Sequence, residues 1–245
     1  MTGTHIFHLC FILEIFQLRS SMRQFTLGLE ELHRKLAQMG TLVESAVERS
    51  AQALVFNDME RVEQVLCGED SVNRLEMEID NHAIGLLARY QPVACDLRFI
   101  TAAMKMNTDL ERMGDLAANI ARRAINLAPE PVAQPFLENV NRMAGCVSSM
   151  VSRSISAFLE RDGQKAEQLL KDDDEADHFM SAITRELFHA MSRDLNTLET
   201  ALELMFVVRN LERIADHATN IAEDVAYLLY GIDVRHHMGK VALGY

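Results

Sequence analysis

The chain has 245 residues, 49% hydrophobic, 24% charged and 6% aromatic, with no Trp and only 4 Pro; strand-rich folds usually carry more aromatic and turn-forming residues, so an all-helical protein fits better. A formal net charge of −12 repels phosphate backbones and anionic lipid headgroups, which argues against a nucleic-acid partner and favours cations or a basic surface. The four cysteines, Cys10, Cys67, Cys95 and Cys146, are spaced too widely for a disulfide framework or a thiolate zinc site and read as ordinary buried thiols.

Residues 1–21 are apolar, but His8 and Glu14 interrupt them, and the run is shorter than the ~20 residues of a spanning helix. They lack the basic start and the cleavage site of a signal peptide, and are expected to stand outside the core as an N-terminal extension. After Met22, Phe25, Leu29, Leu32, Leu36, Met39, Val43 and Ala46 alternate spacings of four and three, one apolar stripe on a long helix. Asn57 followed by Glu60 resembles a capping box at the head of a second helix, which continues through Val72, Leu75, Ile79 and Leu86. "RYQP" then breaks the chain, and Pro92 is expected in the first turn of a third helix. That helix carries Ala103, Met106, Leu110, Met113, Ala117, Ile120, Ala124 and Leu127, a heptad seam.

"APEPVAQP" cannot continue a helix, so a linker is expected at 129–135. Beyond it, Val140, Met143, Val147, Val151, Ile155 and Phe158 mark a fourth helix, and after a "RDG" turn Ala176, Phe179, Ile183 and Leu187 mark a fifth. Asn196 with Glu199 again resembles a capping box, at the head of a sixth. Its seam is Leu204, Val207, Leu211, Ile214, Ala218, Ile221, Val225 and Leu228, each 101 residues after its counterpart on the third helix. The pattern implies an all-α fold of two tandem three-helix bundles, 22–128 and 136–231, followed by a tail at 232–245.

The same offset repeats a polar row. "DLERMGDLAANI" at 109–120 and "NLERIADHATNI" at 210–221 carry Glu111, Asp115 and Asn119 in one copy and Glu212, Asp216 and Asn220 in the other. With the seam at heptad positions a and d, these residues fall on the face away from the core, where a solvated charge run with Arg112, Arg209 and Arg213 nearby is the ordinary explanation. Two carboxylates at i, i+4 repel by a few tenths of a kcal/mol, however, so a helix gains nothing by stacking them unless a cation arrives. Glu111 has no basic residue one turn away, and the second row extends to Asp224. Oxygen ligands without convergent thiolates or imidazoles suit Mg, Ca, Mn or iron more than structural zinc, and the set does not choose among them. His217, beside Asp216, reads as a packing residue.

These twin Glu-x-x-x-Asp rows on third helices, with "QPVACDLRFI" at 91–100 leading into the first, resemble the PhoU family of phosphate-uptake regulators over roughly residues 22–231. The resemblance implies a cytoplasmic, metal-binding, non-enzymatic regulator, holding divalent or trivalent ions, with iron or zinc clusters in some members and Mg or Mn as alternatives. It implies Glu111, Asp115, Glu212 and Asp216 as metal ligands, with Asn119 and Asn220 on the same faces and Asp70, Asn73, Asp174 and Asp177 as further candidates on the preceding helices. It also implies partners in a phosphate ABC transporter ATPase and a membrane sensor kinase, between which the protein acts as a negative regulator of uptake and phosphate-starvation signalling. A homodimer, at most peripheral to the membrane, is expected. Two other readings stand beside it. One is a metal-free helical interaction protein; the other is a carboxylate-metal enzyme, against which stands the absence of a Gly-rich phosphate loop, a GxSxG elbow or an HExxH motif.

Overall fold

The first helix of each repeat, α1 (Gly3–Phe56) and α4 (Gln134–Glu160), ends at a left-handed residue followed by an aspartate. Asn57, at φ 53°, closes α1, and the amide of Asp58 donates to the carbonyl of Ala53 at 3.0 Å. Asn tolerates this conformation better than most side chains, so it serves the end of one helix and the cap of the next passes to Asp58. The Asp58 carboxylate accepts from the amides of Glu60 and Arg61. The second repeat does the same: Arg161 at φ 54°, an Asp162 amide to the Ala157 carbonyl at 2.9 Å, and an Asp162 carboxylate accepting from Gln164 and Lys165. The expected capping box at Asn57 is therefore displaced by one residue.

A computed structural model describes the backbone of residues 3–127 and 134–231 and the side chains of 20–127, 136–170 and 174–231. The tail at 232–245 and most of the Pro-rich linker lie outside the described residues. Among the described residues are six α-helices: α1 (Gly3–Phe56), α2 (Met59–Tyr90), α3 (Ala94–Leu127), α4 (Gln134–Glu160), α5 (Gly163–Arg193) and α6 (Leu198–Tyr230). α1 is continuous through the segment expected to stand outside the core, and its side chains are described from residue 20 onward. Pro92 lies two residues ahead of α3 rather than within it, because Gln91 caps α2 in the left-handed region and the turn runs on to Val93. At the head of α6, Asp194 caps a short 3-10 turn (Leu195–Thr197) by accepting from the amide of Asn196, so Asn196 is a recipient of the cap and not its source.

Each repeat closes as a three-helix bundle, α1–α2–α3 and α4–α5–α6, and the two join along α3 against α6 and α1 against α4. All sixteen seam residues of α3 and α6 are buried, and the stripes of α2 and α4 are buried with them. Burial extends beyond the seam. Ala102, Leu116, Ala118 and Ala121 on α3 and Val208, Ala215 and Ala222 on α6 are also buried, because each of these helices faces its partner in the other repeat as well as its own bundle. Small residues at such a second face let backbones approach closely. Gly40 does so on α1, where an added Cβ would come within 2.9 Å of Ile155 on α4.

The α3–α6 joint is antiparallel and held by charge. Lys105 Nζ donates to Asp224 Oδ1 at 2.8 Å, and Arg123 bonds Glu203 at 2.6 Å near the opposite end. Shifting Lys105 and Asp224 by the repeat offset gives Phe206 and Arg123, which also meet: the guanidinium lies 4.1 Å from the ring centroid. An ion pair in one place thus corresponds to a cation–π contact in the other. Cys67 and Cys95 are exposed and Cys146 is half-buried, which corrects the expectation of buried thiols; all three stand at positions off the apolar stripes.

Candidate metal centre

Because α2 runs antiparallel beside α3, the first polar row meets a second row. Glu111 and Asp115 stand one turn apart on α3, both half-buried, and Glu76 of α2 is close enough to act on Glu111. Burial pushes the Glu111 carboxyl above its ordinary range, and the Asp115 charge, a hydrogen bond with Asp115 and the Glu76 charge push the same way; Arg112, whose Nε lies 3.5 Å from Glu111, opposes them. One turn before Glu111, Asn107 is fully buried, and its amide nitrogen donates to Asp80 Oδ1 and to the Glu76 carbonyl at 3.0 Å each. Its amide oxygen is buried without a partner. Gly114, between the two acids, permits this closeness: a Cβ there would sit 3.3 Å from Val72 of α2.

The second ridge is built likewise on α5 and α6. Burial raises the Glu212 carboxyl, followed by the charges of Asp216 and Asp177, with Arg209 and Arg213 opposing. Asp216 stands at the exposed edge of the row, yet partial withdrawal from water is the first cause of its raised value, and Asp177 is the second; His217 and Arg213 oppose. Asp177, a candidate from the preceding helix, is therefore brought to the row.

The other candidates stand differently. Asn119 is exposed and accepts from Arg122 at 3.1 Å, while Arg122 also bonds Glu69 at 2.6 Å, so a basic side chain occupies that end of the first ridge. Asn220 lies 3.5 Å from Asp109 across the joint. Asp70 and Asp174 are exposed and Asn73 is half-buried; the Asp174 carbonyl accepts from His178 at 2.6 Å. Asp224 leaves the ridge altogether: it is 5% exposed and bound by Lys105. Each i+4 step advances about 40° around a helix, so three steps from Glu212 carry the row into the joint. His217 is a packing residue, as expected, with Nδ1 2.8 Å from Asp109 Oδ1.

Glu76, Asp80 and Asn107 were not among the expected site residues. The signal was present for two of them, since Glu76 and Asp80 repeat the Glu-x-x-x-Asp spacing on α2. Asn107 carried no such signal, because an isolated Asn at a seam-adjacent position reads as an ordinary polar residue.

Chemically, each ridge offers adjacent oxygen donors whose charge the nearby arginines offset only in part, the condition under which a hard cation is attracted. The unpartnered Asn107 oxygen adds a neutral donor of the kind that carbonyl-accepting ions use. Among the described residues, however, no three acidic, His or Cys side chains converge into a ready cage. The donor set fits a surface ion that draws its ligands together, not a preformed structural site.

Known proteins share this fold. The PhoU domain matches residues 36–124 and again 140–225, once in each half of the chain. A curated protein of Pseudomonas aeruginosa named phosphate-specific transport system accessory protein PhoU homolog is 38% identical over 214 residues, covering 87% of this chain and 88% of its own length. Its namesake in Aquifex aeolicus is 40% identical over 208 residues, covering 85% and 94%. The crystal structure of PhoU from Pseudomonas aeruginosa superposes with a TM-score of 0.83 at 37% identity, covering 85% of this chain and all of that one. That of the phosphate transport system regulatory protein PhoU from Streptococcus pneumoniae gives 0.79 at 29% identity, covering 86% and 99%. With both halves matched and full-length relatives on the same six-helix frame, the chain belongs to the PhoU family.

Proposed function

We propose that this chain is an accessory protein of a phosphate-specific transport system, acting in the cytoplasm as a negative regulatory adaptor between the transporter ATPase and a membrane sensor kinase. The observation that carries this reading is the near full-length match to relatives named as accessory proteins of the phosphate-specific transport system. It is consistent with an all-helical frame in which no described helix is long and apolar enough to cross a membrane. No enzymatic step is assigned, and the protein works as a homodimer. Deleting the gene in its own host is expected to raise phosphate uptake and a starvation reporter when phosphate is ample; unchanged uptake and reporter overturn the reading.

The ridges are proposed to hold metal, with Glu111, Asp115, Glu212 and Asp216 as ligands and Glu76, Asp80, Asn107 and Asp177 beside them. The raised carboxyls of Glu111, Glu212 and Asp216 support this, because a bound cation offsets both the burial and the neighbouring acids that raise them. Iron, zinc, Mg and Mn are all compatible with the donor set, and an ion held there gives an otherwise acidic surface a way to meet phosphate. Elemental analysis of protein purified without chelators or affinity metal is the test. Stoichiometric metal that falls on substituting Asp115→Ala and Asp216→Ala supports the proposal, and metal-free wild-type protein overturns it. The engagement of Asn119 by Arg122 favours the second reading, a metal-free adaptor, which the same measurement decides.

A further inference from the structure

The two repeats serve as controls for each other, since a side chain that the three-helix unit needs for folding is expected at the matching place in both. At the head of α6 they part. Leu202 and Phe206 are 44% and 49% exposed, whereas the positions 101 residues earlier hold Thr101 and Lys105. With Leu198 they form an i, i+4, i+8 stripe, flanked by Phe188 on α5 and Leu195 in the turn, which are 65% and 81% exposed. The first repeat has a shorter counterpart among the described residues: Ile84, Val93 and Leu97 are exposed, but Thr101 and Lys105 end the stripe after its first position. Beside the stripe run two grooves of about 620 and 430 Å³ that share Met180 and Thr184.

On a chain of net charge −12, guanidinium groups outnumber acids on this apolar face, where Glu212 of the second ridge is the one acid lining the two grooves. Arg185 and Arg209 line the grooves and are exposed, and Arg123 stacks on Phe206 while holding Glu203. Arg185 has no hydrogen bond or ion pair among the described residues.

We propose that the α5–α6 face docks an amphipathic helix of a partner protein, whose apolar side chains enter the grooves and whose acidic side chains meet Arg185 and Arg209. Helices bind such grooves through apolar anchors at i, i+3/i+4 and i+7. Charge selects this occupant. A closed two-fold contact sets the same patch against itself, and the groove linings bring no acid besides Glu212 to meet Arg185 and Arg209. An anionic membrane is opposed by the acidity of the whole chain. The inference goes beyond the metal-bearing adaptor and does not depend on it.

The test is a displayed library of helical peptides of varied charge, selected on the full chain, with affinities then measured by fluorescence anisotropy. Selected binders are expected to flank helically spaced apolar residues with Asp and Glu. Leu202→Thr/Phe206→Lys, which installs the side chains of the first repeat, is expected to weaken them by about tenfold or more. Arg185→Glu, at an exposed position, tests the charge and keeps the result readable if the double variant fails to fold. Lys-rich or Arg-rich binders, affinities that neither variant changes, or no binders overturn the proposal. So does a wild-type dimer that Leu202→Thr/Phe206→Lys converts to monomer, or flotation on phosphatidylglycerol vesicles that the same variant abolishes.

Discussion

Glu111, Glu212 and Asp216 are held above the ordinary carboxylate range, first by burial and then by neighbouring acids. The folded chain therefore protonates them before the unfolded chain does. Their favourable contribution is complete at pH below the unfolded carboxylate range and is lost as pH rises through their raised values. In metal-free protein at pH 7, Glu111→Gln and Glu212→Gln are each expected to raise the melting temperature by about 1–2 °C, from relief of like-charge repulsion. The gain is expected to vanish below about pH 4; circular dichroism melts at both pH values check it, and a lower melting temperature at pH 7 contradicts it. Lys105 acts in the opposite sense, since it neutralises a buried carboxylate. Lys105→Met is expected to cost about 1–3 kcal/mol, read by urea unfolding, because Asp224 is then left without its ammonium partner. At this scale the sequence told which residues share a ridge but not which stay on it. The i+4 spacing that joins Glu212 to Asp216 carries Asp224 around the helix into the joint, and only the neighbouring helix shows that Lys105 waits there. Glu76 and Asp177 differ for a similar reason: pairing α2 with α3 and α5 with α6 fixes which acids meet, and that pairing is tertiary.

Helix ends and crossings are where the elements are specified. Asp58→Ala and Asp162→Ala are each expected to cost about 1 kcal/mol, since each removes a carboxylate that accepts from two orphan amides. The glycines divide by their surroundings. Gly145 has nothing near its missing Cβ, so Gly145→Ala is expected to stabilise by roughly 0.5–1 kcal/mol through helix propensity. Gly40→Ala is expected to destabilise by about 1–2 kcal/mol, because Ile155 has to move to admit the methyl group. A set of chemical denaturation curves tests all four, and equal effects at Gly40 and Gly145 contradict the assigned crossing. The stripes were readable because a 3-4 spacing leaves no other way to bury Leu110 or Leu211. The caps were misplaced by one or more residues because Asn57 can serve either helix, and its left-handed backbone, invisible in the sequence, assigns it to α1.

For the whole molecule, the repeat offset announced two bundles, and the alanines of α3 and α6 held the clue to how they join. Ala121 and Ala222 match across the offset and are both buried, yet neither belongs to the seam of its own bundle. Each bundle buries its second α3 or α6 face only against the other. Residues 22–128 expressed alone are expected to self-associate through the uncovered α3 face, as sedimentation analysis over a concentration series reports; a stable monomer with the helix content of the intact half contradicts the joint. The antiparallel setting of α3 and α6 has one more effect. The aligned peptide dipoles of two helices of nearly equal length, 34 and 33 residues, point in opposite directions and largely cancel. Along this pair the backbone supplies almost no field, and an ion drifting past the molecule is steered by carboxylates and guanidinium groups alone.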